Sequence, residues 1–241
     1  MATFTLTASK KGNIAEHEYQ ASLYNGLRPE SMPKHVALMF VDGATHGRLK
    51  DIARICCQLG IKVLSLNYTL SSPNSDPPRE KVDIARNITA SDLEDLARVS
   101  FIGKRSNISE SVLETIREIE ERTQNNKSLH VIEAIDYTGR SDIIQACIAV
   151  AEKVEQGVMQ PDDIDDQIFQ NELQTNCSNF PNPDLMIQMG GRFSIHNFML
   201  WQMAYTELYF LHEDDTTQFN DTSFIQALHE YQKRSRRFGG K

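Results

Sequence analysis

Six short runs rich in branched and aromatic apolar residues recur along the chain, separated by stretches whose apolar residues fall at helical spacing, and this alternation limits the possible folds most. The runs are His35 to Val41 (HVALMFV), Ile61 to Tyr68 (IKVLSLNY), Arg98 to Ile102, Leu129 to Ile135 (LHVIEAI), Asp184 to Met189 and Thr206 to Phe210. Near-continuous apolarity is the habit of strands buried on both faces, as in parallel sheets. Between them, Leu49, Ile52, Ala53 and Cys56 recur at helical intervals, as do Val112, Ile116 and Ile119, then Ile143, Cys147, Ile148 and Ala151, and finally Phe224, Leu228 and Tyr231. Ser91 with Glu94 and Ser111 with Glu114 have the spacing of capping boxes that open helices. The pattern predicts an α/β fold: one domain on an open, mostly parallel six-stranded sheet wrapped by helices.

Two segments read as loops, Ser71 to Lys81 (SSPNSDPPREK) and Asn176 to Pro183 (NCSNFPNP), and neither divides compositionally different halves. The expected organisation is a mobile N-terminal segment over 1–33, one domain over 34–232 and a basic C-terminal tail over 233–241. A formal net charge of −8 argues against nucleic acid as a partner, because such proteins need a basic stripe to displace counterions. The four cysteines have no zinc-type spacing and read as buried reduced thiols. The start lacks the basic-then-apolar order of a signal peptide, and no apolar run approaches the roughly 20 residues of a transmembrane segment. A cytoplasmic protein is expected.

In an open parallel sheet, ligands bind beyond the carboxyl ends of the strands, so the residues after each run are the first candidates. Asp42-Gly43 follows the first run. It reads either as an ordinary Asp-Gly turn or as a carboxylate beside free amides, a pairing suited to a diphosphate with Mg²⁺. Gly190, Gly191 and Arg192, with Ser194, His196 and Asn197 beyond, follow DLMIQM. Paired glycines let amides approach an anion and an arginine adds a fork of donors, although a plain loop has the same composition. His196 reads as a hydrogen-bonding residue or a base. Arg140, after the fourth run, reads as a helix-start residue or a phosphate ligand. Glu207, inside AYTELYF, must be edge-exposed, paired or a metal ligand.

Taken in order, these pieces resemble the cis-prenyltransferases, the undecaprenyl and dehydrodolichyl diphosphate synthases. MPKHVALMFVDG, LGIKVLSLNYTLSSPN, IDYTGRSDIIQA, DLMIQMGG and NFMLWQMAYTELYF each match a family motif, as does the C-terminal RRFG. The resemblance implies a homodimer with an apolar tunnel for an isoprenoid tail. It implies Mg²⁺ held by Asp42 and Glu207, Asn74 at the family's E-N-W element, and diphosphate subsites at the tunnel mouth, with an allylic prenyl diphosphate and isopentenyl or dimethylallyl diphosphate as substrates.

The departures fall on the diphosphate ligands. The family's N-G-R-W stretch after D-G is replaced by Ala44-Thr45-His46-Gly47-Arg48, where His46 and Arg48 stand in only by analogy. In the acceptor subsite, Gln188 and Ser194 occupy the two arginine places, His196 the place of the serine, and Arg192 that of a glutamate. Losing a bidentate guanidinium from a phosphate site typically costs a few kcal/mol. The expected activity is therefore ionisation of an allylic diphosphate with Mg²⁺ in short-chain or irregular coupling or in terpene cyclization, with Asp42 and His196 as catalytic residues. The alternatives are a catalytically silent partner subunit and an orthodox chain-elongating enzyme.

Overall fold

The computed structural model describes residues 24–41, 49–69, 95–189, 191, 193–211 and 219–239. All six expected strands form: β1 (His35–Val41), β2 (Val63–Thr69), β3 (Ala97–Ile102), β4 (Leu129–Ala134), β5 (Leu185–Gln188) and β6 (Glu207–Phe210). They make one sheet in the order β3-β4-β2-β1-β5-β6, and every pairing is parallel. The expected helices appear as α1 (Leu49–Leu59), α2 (Glu110–Thr123), α3 (Gly139–Glu155) and α5 (Asp221–Lys233), and a short α4 (Asp166–Asn171) adds a turn that the apolar spacing did not signal. The domain is single and α/β, as the alternation required.

One expected helix start moves. α2 begins at Glu110 with Ser109 as its N-cap, so Ser111 lies inside the first turn with its hydroxyl 3.2 Å from that of Ser109. The two serines compete for the cap position, and spacing alone does not choose between them. Ser91 and Glu94 lie outside the described residues, as does the loop from Ser71 to Lys81.

Alternation along each strand sorts the side chains onto two faces. The first face carries Val36 and Leu38, Leu64 and Leu66, Leu129 and Val131, and Leu185 and Ile187, and packs beneath α1 and α5. The second carries Ala37, Met39, Val63, Ile132, Ala134 and Met186, and is covered by Phe198, Met199 and Met203 from the segment after β5. The buried strand polar groups His35, Ser65, Asn67, Ser100, His130 and Gln188 share the parity of the second face. Glu133 alone takes the first, in register between Leu66 and Phe101.

Most of the second face's polar groups find partners. His35 Nδ1 donates to the carbonyl oxygen of Phe180 at 2.8 Å, which leaves Nε2 to accept from the Ser65 hydroxyl at 2.6 Å. His130 Nε2 lies 2.8 Å from the Ser100 hydroxyl. Burial pushes both imidazoles down to a pKa of about 4, with Arg98 adding to the effect at His130.

The outer edge of β3 is blocked by side chains, the usual defence of an exposed strand. The amides of Val99, Phe101 and Gly103 donate to Thr123, Glu120 and Gln174 at 3.0, 3.0 and 2.6 Å. A cavity of about 380 Å³ runs along this edge, lined by Arg98, Ser100, Arg105, Gln174 and Cys177 among others.

The described parts of the two terminal segments pack against the domain. In residues 24–33, Leu27 and Met32 join the first core, and Gln232 of α5 exchanges hydrogen bonds with the Arg28 backbone. Beyond α5 the basic tail folds back, with Arg236 2.9 Å from Asp184 and facing the rings of Tyr231 and Phe238. Three cysteines are at least partly buried, whereas Cys147 is exposed on α3.

Candidate functional site

The strand order places the crevice. From β1 the chain runs to β2 on one side, while β5 flanks β1 on the other, so the carboxyl ends of β1 and β5 diverge into a switch point. Asp42, Gly43, His46 and Arg48 follow β1 directly in sequence and lie outside the described residues, as do Asn74, Gly190 and Arg192. The described part of the site is the β5 exit and the start of α3.

At the β5 exit, Gln188 is buried in the second face, and its Oε1 accepts the Ser194 amide at 3.2 Å. This folds the loop back over the strand end. Gly191 supplies the turn with φ 65°, a left-handed conformation that suits glycine. The Ser194 hydroxyl then accepts the His196 amide at 3.3 Å. The Gln188 Nε2 is buried without a hydrogen-bond partner.

The next residues tie this loop to α3. Asn197 accepts the Gly139 amide on its carbonyl at 2.6 Å and the Arg140 amide on Oδ1 at 3.0 Å. Thr138 caps the helix by accepting the Ser141 amide at 3.1 Å. Glycine at 139 is required sterically, since a Cβ there would stand 2.7 Å from the Leu200 amide nitrogen. The structure thus brings Arg140, Ser194 and His196, three candidates from two motifs, onto one rim.

The rim is strained. His196, Asn197 and Met199 have φ of 43°, 59° and 42°, and Asp136 at the β4 exit has 50°. These are all the non-glycine residues with positive φ among those described, one after β4 and three after β5. Such conformations cost on the order of 1–3 kcal/mol each and persist where surrounding contacts dictate them.

Those contacts include a buried network that sequence reasoning missed. Asp142, in the first turn of α3, accepts from the Tyr137 hydroxyl at 2.7 Å, the Gln202 amide at 3.0 Å and the Gln174 backbone at 3.0 Å. Gln202 also donates to Thr175 at 3.1 Å. Burial and the Asp142 carboxylate push the Tyr137 phenol far up. The only sequence signal was Asp142's place in the first turn of a helix.

Glu207 lies elsewhere. It opens β6 opposite Leu185, about 10 Å of strand short of the exits at 3.3 Å per residue. Its carboxylate accepts from Arg234 at 3.0 Å, which realises the paired alternative in the single chain. Among the described residues no group of three His, Cys, Asp or Glu is arranged to hold a metal.

An all-parallel sheet with a switch point between β1 and β5 defines an α/β class of protein in which ligands bind beyond the carboxyl ends of the strands. The undecaprenyl diphosphate synthase family model matches residues 39–239. Dehydrodolichyl diphosphate synthase 2 of Arabidopsis thaliana is 37% identical, over 93% of this chain and 79% of its own length. A chloroplastic (2Z,6Z)-farnesyl diphosphate synthase of Solanum lycopersicum is 35% identical, over 88% of this chain and 80% of its own. The crystal structure of lavandulyl diphosphate synthase from Lavandula x intermedia, in complex with dimethylallyl diphosphate, is similar with a TM-score of 0.77 and 34% identity, covering 88% of this chain and 100% of that one. The chain belongs to the cis-prenyltransferase family and is an enzyme of the prenyltransferase class. No helix among the described residues is long and apolar enough to cross a membrane, and some relatives carry chloroplastic names.

Proposed function

We propose that this enzyme ionises a short allylic prenyl diphosphate and couples or cyclizes it, in place of ordinary long-chain elongation. The observation that carries the reading is Gln188. At the place of a family arginine stands a neutral amide whose oxygen is already spent on the Ser194 N–H, so this part of the rim offers a diphosphate no fixed charge. Arg140, exposed beside Asn197, and Arg192 are the cations left to it. Similarity to enzymes named for lavandulyl and (2Z,6Z)-farnesyl diphosphates supports a short product.

Mg²⁺ suits the donors present, since it is commonly held by one or two carboxylates plus substrate phosphate oxygens rather than by an all-protein cage. Asp42 is the acid at the β1 exit. Glu207 serves as a second ligand only if its ion pair with Arg234 opens. The metal's part is to neutralise the departing diphosphate, while Gly43, His46, Arg48, Asn74, Gly190, Gly191 and Ser194 line the anion subsites and His196 takes the proton. A homodimer is supported by the apolar stripe of Ile144, Cys147, Ile148 and Ala151 along α3, with Ile144 57% exposed.

The test is Mg²⁺-dependent pyrophosphate release from dimethylallyl, geranyl and farnesyl diphosphate, with and without isopentenyl diphosphate, in wild type and Asp42→Ala. Release without the isopentenyl acceptor, lost in Asp42→Ala, is expected. A second reading, a silent partner subunit, is favoured by the Glu207–Arg234 pair and gains if wild type and Asp42→Ala are equally inert.

A further inference from the structure

The edge of the sheet opposite β6 carries a cavity that the prenyl diphosphate crevice does not use. At about 380 Å³ it falls in the size range of small-molecule pockets. Strands β4 and β2 separate β3 from β1, so at about 4.8 Å per strand the two stand roughly 14 Å apart. Three parts of the chain line the cavity: Arg98 of β3 with Arg105 just beyond it, Glu120 of α2 with the C-cap Gln124, and Gln174 with Cys177 ahead of β5.

The charges around it do not cancel. Glu120 is held by Arg105 at 3.3 Å, and its Oε1 also accepts the Phe101 amide at 3.0 Å. Arg98 is half-buried and has no carboxylate partner and no side-chain hydrogen bond among the described residues. Its charge nevertheless reaches its neighbours. His130, opposite Arg98 in the β3–β4 register, is pushed down by burial and further by this guanidinium. The Cys177 thiol, raised by burial to about 11, is drawn down by it. Both groups stay neutral near pH 7, so the cavity keeps one uncompensated positive charge. An anion beside Arg98 would offset the cost of holding it there.

The remaining donors select among anions. The amides of Val99, Phe101 and Gly103 are spent on Thr123, Glu120 and Gln174, so this edge offers no nest of backbone N–H groups of the kind that holds phosphate. What is left is the flat guanidinium fork of Arg98 and two amide ends. Gln174 commits its oxygen to Gly103 and keeps Nε2, while Gln124 commits its nitrogen to the Glu121 carbonyl and keeps Oε1. One positive charge and one planar fork match a single carboxylate, and the amide ends suit polar groups on its body. We infer that the cavity at the β3 edge is a binding site for a small carboxylate held by Arg98, separate from the prenyl diphosphate crevice.

The test titrates the full chain calorimetrically with benzoate and with inorganic phosphate, in the presence and absence of the unreactive thiolodiphosphate of dimethylallyl alcohol. Benzoate should bind at one site, undisturbed by the thiolodiphosphate and about tenfold or more tighter than phosphate. Arg98→Gln should weaken it about tenfold or more, and Arg98→Lys, which keeps the charge without the fork, by less. Because Arg98 leaves no partner behind, Arg98→Gln should melt at or above the wild-type temperature, which separates lost binding from lost folding. A second readout compares alkylation of Cys177 with that of the exposed Cys147 by mass spectrometry. The ratio of iodoacetate to iodoacetamide labelling should be higher at Cys177 than at Cys147, and Arg98→Gln should remove the difference. Benzoate that does not bind, binds Arg98→Gln as well as wild type, or is displaced by the thiolodiphosphate overturns the proposal. So does phosphate binding more tightly than benzoate, or an equal labelling ratio at the two cysteines of the wild type.

Discussion

The two faces of one sheet handle buried polarity differently, although Gln188 Nε2 on the second face is also without a partner. On the face covered by residues 195–203, His35, Ser65, Ser100 and His130 bury imidazoles and hydroxyls in matched pairs. On the face covered by α1 and α5, a single carboxyl stands without a partner for Oε1. Pairing makes buried polarity nearly neutral, and leaving it unpaired makes it expensive. The first arrangement specifies how a loop docks; the second is a cost that folding alone does not explain.

The largest expected effect breaks the comparison on the unpaired side. Unfolded glutamate titrates near 4.5 and Glu133 near 8, so between these values the unfolded chain has lost a proton that the native chain keeps. Stability should therefore fall as pH rises from 4.5 through 8, by about 5 kcal/mol from this group at roughly 1.4 kcal/mol per unit. Urea titrations across this range should show that limb flattened in Glu133→Gln. A limb of equal slope in both proteins would mean that the carboxyl is solvated.

The paired side predicts the opposite limb. His35 is neutral in the native state down to about 4, whereas the unfolded imidazole charges near 6.5. The sign reverses: stability is intact above 6.5 and is lost as pH falls toward 4, by about 3 kcal/mol from His35. His130 adds a similar loss. Replacing His35 by Gln should flatten part of this acid limb, at the expense of the bonds to Phe180 and Ser65, with denaturant midpoints at pH 7 and pH 5 as the readout.

A third, smaller effect concerns what anchors the loop over the paired face. Asp142 has two oxygens and three donors around it, all buried or partly buried. Asp142→Asn keeps the shape but turns one acceptor into a donor facing other donors, and should cost about 2 kcal/mol. Tyr137 should then titrate closer to an ordinary phenol, because the neighbouring carboxylate that raises it is gone. Ultraviolet titration of the tyrosines checks this separately from stability.

How much of this was legible in the sequence follows from the range of the forces involved. The six strands were readable because burial on both faces writes itself as uninterrupted apolarity, and the family because its motifs keep their order from Pro33 to Phe210. The capping serine of α2 was ambiguous because Ser109 and Ser111 both fit. Glu207 carried the right set of alternatives, but its choice of Arg234 depends on a tail that returns 27 residues later. The Asp142 network joins residues up to 60 apart, and Glu133's isolation is visible only once β2 and β3 flank it. Pattern reading finds periodic burial; it does not see which distant group meets which.

The smallest effect sharpens the comparison at the rim itself. Asn197 combines a left-handed backbone with two accepted hydrogen bonds from the start of α3, and asparagine tolerates that conformation better than most residues. Asn197→Asp keeps the Oδ1 acceptor and should stay within about 0.5 kcal/mol of wild type. Asn197→Ala loses the acceptor and adds backbone strain, for about 1–2 kcal/mol. Because Arg140 follows Gly139 at this clamp, the alanine variant should raise the KM for the allylic diphosphate more than it lowers kcat. If kcat falls while KM stays at the wild-type value, then the clamp at the start of α3 does not serve to hold the substrate's head.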